Sequence, residues 1–211
     1  MSDKNLRISL LTLLYEHKEE HIGSCFSCLD IIDNIFKKKR KEDIFILSNG
    51  HASYALYCIL EKYGLANAND LATRHRGHPN IDHNNGIYCS TGSLGQGITI
   101  ACGAAIASPE KKIYVTVSDG ECAEGSVWEA LRLIHDRKLN VEVHVNANGY
   151  ACYDPIDVIY LERRCKAFLP NINFHKTTSS QLSFLRGLEA HYIKMDEAQY
   201  KKGLEEIRNE C

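Results

Sequence analysis

The chain has 211 residues, 44% hydrophobic and 25% charged, with a formal charge of −2. That length suits one domain with a substantial core, and the near-neutral balance supplies no basic field of the kind that attracts nucleic acid. No stretch approaches the ~18 apolar residues that span a bilayer, and the opening MSDKNLRISLLTLLYEHKEE, charged on both sides of a short apolar run, does not resemble a secretory signal.

Leu6, Leu10, Leu13 and Leu14 recur at helical spacing, as do Leu29, Ile32, Ile35 and Phe36, which predicts two helices near the start. Cys25 and Cys28 have the C-x-x-C spacing, but no second pair accompanies them and Cys28 falls on the apolar face, so they read as packing thiols. The same holds for the nine cysteines as a set: an odd number, scattered through apolar runs, they predict reduced thiols and a cytoplasmic location. The basic run at 37–41 reads as a solvated loop. The apolar run at 44–47 is followed by a Ser48-Asn49-Gly50 turn and a helix carrying Ala52, Ala55, Leu56, Ile59 and Leu60. Residues 64–97, rich in Gly, Asn, Asp and His with weak periodicity, read as one long loop, and long loops in compact domains tend to be functional. GQGITIACGAAIA then predicts a helix packed closely against a neighbour. IYVTV at 113–117, a helix over about 126–136 and VEVHV at 141–145 make a β-α-β unit whose strands should run parallel under helices. The tail from Leu161 is less regular and closes in an amphipathic helix around 196–208.

In an open parallel sheet ligands bind beyond the carboxyl ends of the strands. Asp119-Gly120 follows the first strand of the unit, and Asn146-Ala147-Asn148-Gly149 the second. One carboxylate with amide and carbonyl oxygens is a hard donor set, poor in charge for calcium but suited to magnesium bridging to a phosphorylated ligand. Gly120 lets the backbone approach that ligand. By residue type alone, Asp-Gly and Asn-Gly are also turn signals.

The neighbouring motifs go further. SDGECAEGSVWEALRLIHDRKLNVEVHVNANGY resembles the thiamine diphosphate signature, and HIGSCFSCLDII, LSNGHASYALY, RHRGHP, STGSLGQGITIACGAAIA and EGSVWEA appear in the order used by the transketolase family. The resemblance implies an α/β fold of the parallel-sheet, diphosphate-binding type with helices on both faces, occupying residues 1–211 as a single domain with a shortened tail. It implies thiamine diphosphate and Mg2+ as cofactors, with Asp119, Asn148 and the Tyr150 carbonyl as metal ligands. His51, Gly92, Ser93, Leu94, Gly120, Glu121 and Asn148 would contact the cofactor, and His21, His78 and His191 would face a ketose substrate. Glu124 and Glu129 match glutamates of the family's subunit interface. His75 and His83 read as loop histidines, His135 and His144 as structural, and Trp128 as core packing.

The sequence departs from the family pattern at three points. Ser118 replaces the first glycine of Gly-Asp-Gly, which is tolerable if the backbone there does not need positive φ. The segment FHKTTSSQLSFLRG, where family members continue with strand-helix-strand, reads as too short and too polar to match. The family's second, pyrimidine-binding domain supplies the glutamate that activates the cofactor and the arginines that grip a sugar phosphate, and it has no counterpart in these residues. The resemblance therefore implies the N-terminal subunit of a split transketolase, a transferase moving a two-carbon ketol unit between sugars. Its partner would be a separately encoded pyrimidine-binding subunit in an α2β2 heterotetramer, without nucleic acid or membrane, and the short tail suggests a specialised or nucleotide-linked sugar. Two alternatives stand beside it: the α-type subunit of a thiamine-dependent 2-oxo acid dehydrogenase or synthase, and a catalytically silent regulatory subunit.

Overall fold

The computed structural model describes residues 3–151, 154–187 and 189–210. Two helices come first, α1 (Lys4–Glu16) and α2 (Ile22–Lys38), followed by strand β1 (Ile44–Leu47) and helices α3 (Ser53–Lys62), α4 (Ala68–His75) and α5 (Gln96–Ala107). Then β2 (Ile113–Ser118), α6 (Gly125–Arg137), β3 (Val141–Ala147), α7 (Val158–Phe168) and β4 (Asn173–Lys176) alternate, and α8 (Glu189–Tyr192) and α9 (Glu197–Asn209) close the chain. The four strands lie in the order β1-β2-β3-β4, all parallel.

Strand alternation assigns each side chain to one of two cores. Ile44, Ile46, Ile113, Val115, Val117, Val143 and Val145 face a cluster completed by α5, α6 and α7. Phe45, Leu47 and Tyr114 face the other cluster, built from α1, α2, α3, α4 and α9. The result is the three-layer α/β arrangement that parallel strands require, with helices covering both faces. β3 presents Glu142, His144 and Asn146 toward α2, and each is satisfied there. Glu142 pairs with Lys38 and Lys112, the His144 ring bonds Glu142 and His175 at 2.9 Å each, and Asn146 donates to the Ser27 hydroxyl at 2.9 Å. His144 is thus structural, and His135 is an exposed residue on α6 bonded to Asp136 at 3.2 Å. Trp128 is partly buried, donating to the Cys122 carbonyl at 2.9 Å.

Two stretches differ from the sequence expectation. The supposed loop at 64–97 contains α4, capped by the Asn67 side chain accepting from Asp70 N–H at 2.9 Å. Only Ala68, Leu71 and Ala72 of this helix are buried, too few anchors to show a period. His75 therefore ends a helix, bonded to Asp82 at 3.3 Å, and His83 sits in a short 3-10 turn. In the tail, Asn173–Lys176 forms strand β4, parallel to β3, after helix α7. It is a four-residue edge strand in which Phe174 is the one apolar side chain, half-buried between Asn173 and His175, so it shows no run of apolar alternation of the kind that marks a covered strand. The basic run also divides, Lys37 and Lys38 belonging to the last turn of α2. No helix among the described residues is long and apolar enough to cross a membrane.

Candidate active site

At the carboxyl edge of the sheet, β2 and β3 pair through Ser118 and Asn146, and the chain leaves both strands in neighbouring loops. Asp119 joins them. Its N–H donates to the Asn146 carbonyl at 3.0 Å, while its carboxylate accepts from Gly120 N–H at 3.1 Å and from Gly149 N–H at 2.7 Å. Gly149 reaches that position at φ +90°, a region that favours glycine. The Asn148 side-chain oxygen accepts from Tyr150 N–H at 3.1 Å, closing the second loop on itself.

Asp119 is 2% exposed and forms no ion pair among the described residues. Burial pushes its carboxyl up to about 6, against the opposing pull of the backbone donors. A carboxylate held this way, with an amide oxygen on the adjoining loop, is a set of hard oxygen donors in want of positive charge. It fits a small divalent cation.

Ser118 and Glu121 hold the base of the site. Ser118 is not among the positive-φ residues, which is why a serine is accommodated where the signature has glycine. Its hydroxyl accepts from Glu121 N–H at 3.2 Å. The Glu121 carboxylate, fully buried, accepts from the Ser48 hydroxyl at 2.6 Å, from Gly95 N–H at 3.0 Å and from Ser118 N–H at 2.9 Å. One side chain thereby ties the end of β1, the start of α5 and the end of β2. The resemblance implies Glu121 among the cofactor contacts; in this structure its carboxylate is occupied by the protein itself.

Four imidazoles converge beside these loops. His21 precedes α2 in a left-handed conformation (φ 60°), and its N–H donates to the His191 carbonyl at 2.8 Å. Its ring lies 4.4 Å from that of His191, 5.5 Å from His51 and 6.1 Å from His78, centroid to centroid. His191, on α8, is also 3.5 Å through Nδ1 from the Ser24 hydroxyl. Burial depresses His51 to about 3 and His21 to about 4, with the neighbouring imidazoles adding to the effect, and burial lowers His191 too. Near neutral pH these three rings are uncharged, each offering one N–H donor and one acceptor nitrogen.

Gly92 and Gly50 allow the approach. A Cβ on Gly92 (φ +135°) would lie 2.6 Å from the His78 ring, and one on Gly50 would lie 2.8 Å from Gly92 N. Leu94, His51, His191, Asp119, Asn148 and Tyr150 line one cleft, whose enclosed part is only about 20 Å³. That is room for about one water, so a cofactor would rest on an open face. Ser93 is exposed, its carbonyl accepting from Gln96 N–H at 3.3 Å. Glu124 and Glu129 stand apart from the cleft, both exposed at the start of α6.

Sequence reasoning omitted Ser24 from the site and gave no internal role to Ser48, Ser118 or Glu121. Ser24 sits three residues after His21 within HIGS, one helical turn along, and that spacing was the available signal. The Ser48–Glu121 bond joins residues far apart in sequence and left no local trace.

A family model described as transketolase, thiamine diphosphate binding domain, matches residues 4–156. One chain of the apulose-4-phosphate transketolase of Phocaeicola vulgatus is 33% identical over 159 residues, covering 66% of this chain and 56% of that protein. The Homo sapiens transketolase is 31% identical over 190 residues, covering 77% of this chain and 30% of that protein. The solved transketolase of Leishmania mexicana superposes on 97% of this chain, using 40% of its own, with a TM-score of 0.77 at 20% identity, and so shares the fold. The chain spans little more than half the length of the first of these relatives and less than a third of the second.

Proposed function

The chain belongs to the transketolase family through its thiamine diphosphate-binding domain, and from that premise we propose that it is the N-terminal subunit of a split transketolase, transferring a two-carbon ketol unit between sugars. The observation that carries the reading is Asp119. A buried carboxylate that forms no ion pair among the described residues is clasped by the loop that bears Asn148, within one cleft with His51 and His191. Asp119, Asn148 and the Tyr150 carbonyl would hold Mg2+, and His51, Gly92, Ser93, Leu94 and Gly120 would flank thiamine diphosphate. When bound, that cofactor supplies the electron sink for exchanging carbon–carbon bonds.

The residues of this chain contribute positioning and proton traffic. His21 and His191, uncharged near neutral pH, would donate N–H to the carbonyl and hydroxyl oxygens of a ketose and accept hydroxyl protons at their free nitrogens, with His78 beside them as a further hydrogen-bonding group. A positioned acid or base of this kind is commonly worth ~10²–10⁴ in rate. Ser24, 3.5 Å from His191 Nδ1, orients that ring and leaves its Nε2 for substrate. Glu121 keeps three backbone segments in register beneath the cofactor face.

A site that encloses so little volume calls for a second wall. We assign that wall to a separately encoded pyrimidine-binding subunit, meeting this chain near the exposed Glu124 and Glu129 in an α2β2 assembly. Relatives from Phocaeicola vulgatus and Actinobacillus succinogenes, each named as one subunit of an apulose-4-phosphate transketolase, support a two-chain enzyme. The described cysteines are free thiols, mostly buried, which suits the reducing cytoplasm proposed for it.

The test is co-expression with the product of the adjacent gene, followed by thiamine diphosphate binding with and without Mg2+ and ketol transfer from a panel of ketoses. Magnesium-dependent binding with ketol transfer is the expected result. Decarboxylation of 2-oxo acids would replace the reading with a dehydrogenase-type subunit, and metal-indifferent, cofactor-free complexes would replace it with a silent one.

A further inference from the structure

At the end of β1 remote from the catalytic residues lies a cavity of about 510 Å³, bounded by the ends of α2 and α3 and by the segment 83–88. Ile44 and Phe45, which open the strand, line it. Ser48, bonded to Glu121 beneath the catalytic cleft, is four residues further on, so about 13 Å of extended strand separates the two places.

That volume is in the range of sites for small organic ligands, and the walls are largely aromatic. Phe36 packs edge-on against Phe45 with centroids 5.4 Å apart, and tilts against Tyr63 at the same distance. His83 and Tyr88 make a second pair, T-shaped at 5.3 Å. The backbone fixes where that second pair stands. Asp82 and Ile87 exchange N–H donors at 2.9 and 3.0 Å, and Gly86 turns the chain at φ +83°. A Cβ on Gly86 would lie 2.8 Å from a methyl of Leu60, so glycine is what lets this turn close on α3. Tyr63 and Leu65 remain 36% and 49% exposed at the cavity, apolar surface with nothing over it.

The polar groups of the walls are spent unevenly. The Asp43 carboxylate is fully engaged, accepting from the Arg40 guanidinium at 2.8 and 3.2 Å, from Arg40 N–H at 2.9 Å and from Lys112 N–H at 3.1 Å. The Tyr63 hydroxyl donates to Asp33 at 3.2 Å. Lys39 and Lys41, by contrast, enter no ion pair among the described residues. Lys39 donates to the Arg40 carbonyl at 3.1 Å and lies 5.5 Å over the Phe36 ring, and burial lowers its ammonium from the ordinary lysine range. An ammonium drawn partly out of water without a carboxylate lacks its strongest partner.

These features select the occupant. A nucleobase edge needs donors and acceptors together, and with Asp43 and Tyr63 committed its buried polar atoms would go unpaired. A plain aromatic ring has no such atoms and gains edge and face contacts with the aromatic walls. The two lysines ask for an anion beside that ring.

We propose that this cavity is a binding site, separate from the catalytic cleft, for a small aromatic carboxylate whose ring enters between Phe36, Tyr63 and Tyr88 and whose carboxylate meets Lys39 and Lys41. It stands apart from the ketol-transfer reading, since binding here needs neither cofactor nor turnover.

The experiment uses the full chain, alone and in complex with its partner subunit, with thiamine diphosphate and Mg2+ in excess to compete for the catalytic cleft. Cinnamate is the probe, followed by saturation-transfer NMR, and it should bind saturably with Kd below about 1 mM. Cinnamyl alcohol, with the ring but no charge, and cyclohexanepropanoate, with the charge but no aromatic ring, should each bind ~10-fold more weakly or worse. Lys39→Gln and Lys41→Gln should each weaken cinnamate ~3–10-fold. Leu65 is half exposed, so Leu65→Trp can fill the cavity without entering the core, and it should weaken cinnamate at least ~10-fold while unfolding like the native chain. The variants locate the probe whether or not the cofactor binds. Equal affinity for cinnamate and its alcohol, or cinnamate binding unchanged in the Lys39→Gln, Lys41→Gln double variant, overturns the anion site. No saturation by about 10 mM overturns it as well. Binding to the isolated chain that vanishes in the complex also overturns it, and gives the cavity to the partner subunit instead.

Discussion

Asp119→Asn is the most informative single change, because it removes a charge and nearly nothing else. The carboxyl sits at about 6 in the folded chain against an ordinary 3.8, with burial the largest cause. Two units at 1.36 kcal/mol each place the ionised folded state at a disadvantage of about 3 kcal/mol relative to the unfolded chain. The sign follows from the direction of the shift. A carboxyl raised on folding holds its proton more tightly when folded, so stability is lost as pH rises from 3.8 to about 6 and is level above that.

Asparagine has no such slope, but its amide NH2 must face either Gly120 N–H or Gly149 N–H, each now donating to Asp119 at 3.1 and 2.7 Å. Leaving one buried N–H unpaired costs about 1–3 kcal/mol at every pH. The metal-free variant should therefore be less stable than the native chain at pH 4 and equal or more stable at pH 7, a swing of about 2 kcal/mol, since part of the titration is already spent at pH 4, or roughly 4–8 °C in Tm for a chain of this size. Depressed histidines contribute a slope of opposite sign, but it is common to both proteins and cancels in the difference. Urea or thermal unfolding of the full chain at the two pH values measures it. Adding Mg2+ and thiamine diphosphate at about 100 times Kd should stabilise the native chain at pH 7 by roughly 2.7 kcal/mol and the variant not at all. Parallel pH curves would show that Asp119 is not the strained carboxylate described, and an equal cofactor-induced gain would remove it from the metal site.

Three further outcomes are expected. Glu121→Ala leaves the buried Gly95 and Ser118 N–H groups without an acceptor, and should cost about 3–5 kcal/mol by chemical denaturation; a loss below ~1 kcal/mol would mean the three segments do not depend on it. Gly97→Ala places a Cβ 2.4 Å from Ser48 Cα, which must push α5 from the end of β1 and destabilise by ~1–3 kcal/mol, whereas native-like unfolding would contradict that contact. His21 and His51, at about 4 and 3 against 6.5, give stability that is full above pH 6.5 and lost as pH falls toward those values. Their C2–H resonances should hold the neutral-ring position from pH 8 to 5, and an inflection near 6.5 in either would contradict the packed cluster.

The sequence by itself carried every feature written in short-range pattern. Helical spacing of leucines and isoleucines, alternation in IYVTV and VEVHV, and the run of motifs around His21, His51, His78, Asp119 and Asn148 are each local, and each survives in the folded chain. The fold class followed because parallel strands joined by helices have few ways to bury both faces.

Tertiary structure decided what depends on residues distant in the chain. Helix α4 and strand β4 were missed because each buries few side chains and is held chiefly by what it packs or pairs against. The Glu121 carboxylate became a tie among Ser48, Gly95 and Ser118, and the four imidazoles came within ring contact from four separate segments. The strained backbone of Arg76, bolted by Tyr57 and Ser53, is invisible in RHRGHP because no residue type there announces a positive φ. Periodicity records how a segment meets a core; which polar groups find one another across that core is settled only by the geometry of closure.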